Sequence, residues 1–105
     1  MALSKEIIQR IKQTVQKAEP GAQIILFGSY ARGDNRDDSD IDLLILSQNI
    51  IVSDMDKKHI ISELYDVELE TGYPISSVIL SSSDWNNRYF STPFYFNIKQ
   101  DGITL

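Results

Sequence analysis

Apolar residues recur at helical spacing over residues 3–18, where Leu3, Ile7, Ile8, Ile11, Val15 and Ala18 form one stripe. Lys5, Gln9, Arg10, Lys12, Gln13 and Lys17 occupy the other side. This predicts an amphipathic helix that covers a core, capped by Ser4 and stopped by Pro20-Gly21. The pattern then shifts to short apolar runs. Residues 23–27, QIILF, are apolar on both sides of a pleat and predict a strand covered on both faces. Gly28 ends it, and Ser29-Tyr30-Ala31-Arg32 predicts a short helical turn before Gly33. Residues 34–39 are a polar loop. Residues 40–47, DIDLLILS, predict a second strand, acidic at its opening and greasy beyond.

A second long helix is predicted over 54–71, started by the capping-box-like Ser53-Asp54-Met55-Asp56 and ended by Gly72, with Pro74 just beyond. Its expected buried stripe is Ile60, Ile61, Leu64, Val67 and Leu69. Residues 75–80, ISSVIL, predict a third strand, and 84–90 a short helix capped by Ser83 or Asp84. Pro93 breaks the chain, and 94–100 predicts one or two further helical turns. Helix, strand, turn, strand, helix, strand, helix is the order of an α+β sandwich, a small β-sheet with helices packed on it.

The length of 105 residues fits one small domain. Lys+Arg 10 against Asp+Glu 15 gives a net charge of −5, which argues against a broad basic face for long nucleic acid. A small phosphorylated substrate remains compatible, because a divalent cation can mediate that contact. The absence of cysteine excludes disulfides, zinc-thiolate sites and a thiol nucleophile. The opening MALSKEIIQR is no signal peptide, and no apolar run approaches the ~20 residues of a membrane span. A cytoplasmic domain is expected.

Candidate chemistry concentrates between Leu26 and Leu46. Asp40 and Asp42 are two apart on a predicted strand, so their side chains share a face with Cα atoms about 6–7 Å apart. Like charges held this close raise each other's pKa unless a cation neutralises them. Mg²⁺ or Mn²⁺, which favour one or two carboxylates plus waters and phosphates, would do so. Gly28-Ser29 stands where a strand passes into a helical turn, a place where backbone amides can meet phosphate. Arg32 and Arg36 can add positive charge for a triphosphate. No Gly-Lys-Ser/Thr follows, so this is not a P-loop. Either dipeptide alone is most often a turn or a solvated strand end. Their conjunction, Gly28-Ser29, ten residues, then Asp40-Ile41-Asp42 between two apolar strands, is hard to reach by accident.

This Gly-Ser-x10-Asp-x-Asp pattern, here GSYARGDNRDDSDID, resembles the signature of the DNA polymerase beta-like nucleotidyltransferase superfamily. Chain length and the run GSxARG…SDIDLLI are most similar to its minimal nucleotidyltransferase (MNT) branch, with further likeness in the ending FYFNIKQDGITL. The resemblance implies the nucleotidyltransferase fold with a mixed sheet. It implies that Gly28 and Ser29 hold the triphosphate of ATP or another NTP and that Asp40 and Asp42 ligate Mg²⁺. Ser39, just before the first aspartate, also matches, and Ser39 and Arg32 join the nucleotide-binding set. The implied reaction moves a nucleoside monophosphate, AMP in the first place, to a hydroxyl and releases pyrophosphate. The implied partner is a HEPN-domain toxin, adenylylated within a hetero-oligomeric toxin–antitoxin system.

One departure stands out. Fully equipped members carry a third carboxylate on the next core strand, which can help to deprotonate the acceptor. Here that position is Ser76 or Ser77, with the register open. Glu68, Glu70 and Asp84 are candidate substitutes that nothing in the sequence places at the site. The alternative reading is therefore a weak or inactive antitoxin that works by binding. Antibiotic modification is disfavoured, since the chain is short for its own acceptor-binding domain. Lys57, Lys58 and His59 read as a solvated face. Tyr30 either borders the pocket or packs. Trp85, Tyr89, Phe90, Phe94, Tyr95 and Phe96 are expected mostly over the sheet, some as an interface.

Overall fold

The structure is a computed structural model that describes residues 3–105. Its elements run α1 (Lys5–Ala18), β1 (Gln23–Phe27), α2 (Ser29–Arg32), β2 (Ile41–Ser47), α3 (Asp54–Thr71), β3 (Ile75–Ser81), α4 (Ser82–Arg88), α5 (Pro93–Asp101) and β4 (Ile103–Thr104). The strands form one mixed sheet in the order β3-β2-β1-β4. β1 pairs antiparallel with β2 and β4, and β2 pairs parallel with β3.

Local chemistry sets the element ends. The Ser4 hydroxyl accepts from the Ile7 N–H at 3.3 Å, and the Ser53 hydroxyl accepts from the Asp56 N–H at 3.1 Å. Gly72 closes α3 in the left-handed conformation with φ 77°. The Glu68 carboxylate then accepts from the Ile75 N–H at 2.7 Å, tying the last turn of α3 to the start of β3. α4 begins earlier than its sequence suggests. Its cap is Ser81, whose hydroxyl accepts from Asp84 N–H at 3.0 Å, rather than Ser83 or Asp84.

The sheet is covered on both faces, because alternate residues of its strands go to opposite sides. Ile24, Leu26, Ile41, Leu43, Ile45 and Ile79 pack with α1 and α3. Leu44, Leu46, Ile25, Phe27 and Leu80 meet Trp85 of α4, Tyr89 just after it, and Phe94, Tyr95 and Ile98 of α5. This is the expected α+β sandwich. Of the aromatic group, Trp85 is buried while Phe90 and Phe96 are exposed. The α3 stripe is narrower than its sequence suggests. Ile60, Leu64 and Val67 are buried, but Ile61 and Leu69 are 48% and 65% exposed. At 100° per residue, positions 61 and 69 turn away from the line through 60, 64 and 67. The two-residue β4, unforeseen from its sequence, pairs Ile103 with Leu26 and Thr104 with Ile25.

Candidate active site

β1 delivers Gly28 to the mouth of the sheet directly beside the start of β2, since Phe27 is the register partner of Asp42. Gly28 has φ 75° and ψ −156°, a region reserved for glycine. It opens α2, a turn with no side-chain cap, and Gly33 closes that turn with φ 81°. Without a side chain at Gly28, the Asp42 carboxylate can lie directly over the backbone. A Cβ there would stand 2.3 Å from Asp42 Oδ2.

Asp42 shares its sheet face with Leu44 and Leu46, so the carboxylate sits at the end of an apolar row. It is half-buried. Burial pushes its pKa above the ordinary carboxylate value, the charge of Asp40 adds to the rise, and the Arg32 guanidinium opposes it. Asp40 stands exposed just ahead of β2. The loop leading to it is closed by reciprocal bonds: Arg36 N–H donates to the Ser39 hydroxyl at 2.8 Å, and Ser39 N–H donates to the Arg36 carbonyl at 3.0 Å. Arg32 pairs with Asp34 at 3.3 Å, an exposed contact that a phosphate can displace at little cost.

An open cleft of about 410 Å³ joins Phe27, Gly28, Ser29, Arg32 and Asp42 to a wall made by Phe94, Asn97, Ile98 and Asp101 of α5. Of the residues singled out in the sequence, Gly28, Ser29, Arg32 and Asp42 thus line one space. Ser39 and Asp40 lie outside that lining, with Ser39 engaged in its own loop. Tyr30 is buried edge-on to Tyr73 at 6.5 Å and packs in the core rather than bordering the cleft. His59 lies elsewhere, in a groove between α1 and α3.

The β2–β3 register resolves the serine question. Ser76 pairs with Asp42 and shares its face, whereas Ser77 pairs with Leu43 on the α1/α3 side. The position beside Asp42 is therefore held by serine. The three substitutes considered from the sequence do not replace it: Glu68 binds the Ile75 amide, Glu70 pairs with Arg10, and Asp84 sits in the first turn of α4. Among the described residues no group of three or more His, Cys, Asp or Glu could hold a metal ion.

Asn97 and Asp101 were not foreseen as site residues. The one signal was a helix starting at Thr92-Pro93, which puts 94, 97 and 101 along one side; only packing shows that this side faces the cleft.

A family model described as nucleotidyltransferase domain matches residues 8–91. A Methanocaldococcus jannaschii protein named "Putative protein adenylyltransferase MJ0604" is 36% identical over 83 residues, 79% of this chain and 76% of the relative. A second from that organism, "Putative protein adenylyltransferase MJ1305", is 35% identical over 83 residues, 75% of this chain and 53% of its own length. Two solved structures share the fold. One, of a toxin–antitoxin with AMP-PNP, aligns with a TM-score of 0.67 at 20% identity over 91% of this chain and 69% of that one. The other, a mutant of the MntA-HpeT toxin–antitoxin, aligns with a TM-score of 0.64 at 16% identity over the same shares, 91% and 69%.

Proposed function

The chain belongs to the nucleotidyltransferase domain family, and from that premise we propose that it transfers AMP from ATP to a hydroxyl of a partner protein. The observation that carries this reading is the cleft in which Gly28, Ser29 and Arg32 face Asp42. The partner we propose is a HEPN-type toxin held in a hetero-oligomer. Support comes from the similarity to protein adenylyltransferases and from a fold shared with toxin–antitoxin structures.

Asp40 and Asp42 would hold Mg²⁺ or Mn²⁺. The donor set fits such an ion: two hard carboxylates stand two residues apart where β2 opens, and the pKa of Asp42 is raised first by burial and then by the charge of Asp40. When bound, the cation neutralises charge on the phosphoryl oxygens. The Ser29 hydroxyl and the Gly28–Ser29 backbone take the outer phosphates, and Arg32 leaves Asp34 to join them. Ser39 acts as a positioning residue that shapes the loop leading to Asp40. In the transfer, the acceptor oxygen bonds to the α-phosphorus as the bond to pyrophosphate breaks, and pyrophosphate departs. The acceptor proton passes to solvent or to a carboxylate of the partner protein, because Ser76 cannot take it.

Ser76 favours a second reading, in which the domain binds its partner without turnover. Incubating the domain and its copurified partner with labelled ATP and Mg²⁺ separates the two. Label on the partner that is lost in Asp40→Ala and Asp42→Ala supports the enzyme. An intact complex that takes no label with any nucleotide or metal overturns it.

A further inference from the structure

The nucleotidyltransferase reading leaves one wall of the cleft without a role. Asn97 and Asp101 lie one turn apart on α5, and Phe94 and Ile98 anchor that helix to the sheet. Phe94 meets the Phe27 ring edge-on at 5.5 Å, which fixes α5 beside Gly28. Asp101 is half-buried, and its carboxylate has no hydrogen bond or ion pair among the described residues. An unsatisfied carboxylate facing a cleft is available to a ligand that donates hydrogen bonds.

Electrostatics decide which part of a nucleotide that is. The α2 turn and Arg32 contribute one part of the cleft lining, which favours anionic phosphate. Asp101 is the last residue of α5, where helix carbonyls already present negative potential. Phosphate is repelled there, whereas hydroxyl groups are welcome. A nucleoside triphosphate is polarised in the same sense, anionic at one end and hydroxyl-bearing at the other. Phosphates held at Gly28–Ser29 beside Asp42 leave the sugar to run toward α5.

We propose that Asp101 is a specificity-determining residue whose carboxylate accepts hydrogen bonds from the ribose hydroxyls of the bound nucleotide. This rests on the nucleotide cleft described above and adds its sugar selectivity. The carboxylate chelates the vicinal 2′ and 3′ hydroxyls, a pairing that carboxylates make elsewhere with ribose. Dideoxynucleotides then bind without satisfying Asp101, and the penalty falls on affinity.

The test is equilibrium binding of ATP, 2′,3′-dideoxy-ATP and inorganic tripolyphosphate to the full chain with Mg²⁺. Charge-assisted hydrogen bonds predict that the wild-type protein prefers ATP over dideoxy-ATP by about tenfold or more. Asp101→Ala brings ATP down to the dideoxy level and leaves tripolyphosphate binding unchanged or tighter. Asp101→Asn, which keeps one acceptor oxygen, retains part of the preference. A wild-type ratio near one, an unchanged ratio in Asp101→Ala, or equal weakening of all three ligands overturns the ribose role. If tripolyphosphate still binds in those cases, the cleft's phosphate reading survives. Failure of the wild-type protein to bind any of the three overturns both.

Discussion

Gly28 and Asp42 are placed so that a single methyl group on the first would stand 2.3 Å from the carboxylate oxygen of the second. The glycine is thus fixed twice, once by its backbone and once by its neighbour. Gly28→Ala forces an L residue into a region open essentially to glycine, at a cost on the order of 1–3 kcal/mol. It also drives Asp42 from its position. We expect a urea midpoint lowered accordingly, together with a large loss of Mg²⁺-dependent ATP binding. Retention of wild-type binding would show that Asp42 need not lie over the glycine.

Asp42 is expected to cost the metal-free fold stability. Folding raises its pKa, chiefly by burial and then through Asp40, so the folded state holds the proton more tightly than the unfolded chain. Its contribution therefore favours folding below the ordinary aspartate range and is lost as pH rises through the raised folded value. Asp42→Asn should be more stable than wild type at pH 7 without metal, with the gap closing in acid, and should transfer no label. Urea titrations at pH 7 and at pH 3 check this, and equal midpoints at pH 7 contradict it.

Ser76 and Ser77 make a matched pair of probes. Ser76 shares the Asp42 face, so Ser76→Asp should tighten Mn²⁺ binding and raise any transfer rate. Ser77→Asp instead places a charge between Ile75 and Ile79 on the α1/α3 face, and should lower the unfolding midpoint with no gain in metal affinity. Calorimetric Mn²⁺ titration distinguishes them. The reverse pattern would mean that the register is shifted by one.

Trp85 is 2% exposed and touches Tyr89, Phe94 and Tyr95. Trp85→Ala should cost about 3–5 kcal/mol by urea unfolding, as large core truncations do. Through Phe94 it should also loosen α5 and weaken ATP binding. A loss under about 1 kcal/mol would mean that this face of the sheet is not a packed core.

Much of the fold was legible in the sequence because its rules are local. Ser4, Ser53 and Gly72 mark helix ends through bonds made within a turn or so of themselves. The alternation in QIILF and DLLIL sorts side chains to two faces whatever packs on them. Ile61 and Leu69 marked the limit of this reading, since apolar residues near a stripe look alike until a partner surface defines its width. The two residues of β4 carry too little pattern to announce a strand.

For the site, the sequence by itself determined the residue types and their spacing: a glycine that can adopt φ 75°, a serine after it, and two aspartates two residues apart where a strand opens. Those follow from local backbone conformation, although Asp40 falls just ahead of β2 rather than on it. Only the tertiary structure decided that Asp42 lies over Gly28, that Ser76 rather than Ser77 is its neighbour, and that Asp101 closes the cleft from fifty-nine positions away (101 − 42). Strand register and helix placement are set by how two apolar layers fit against the sheet, and residues distant along the chain meet only once that packing is complete.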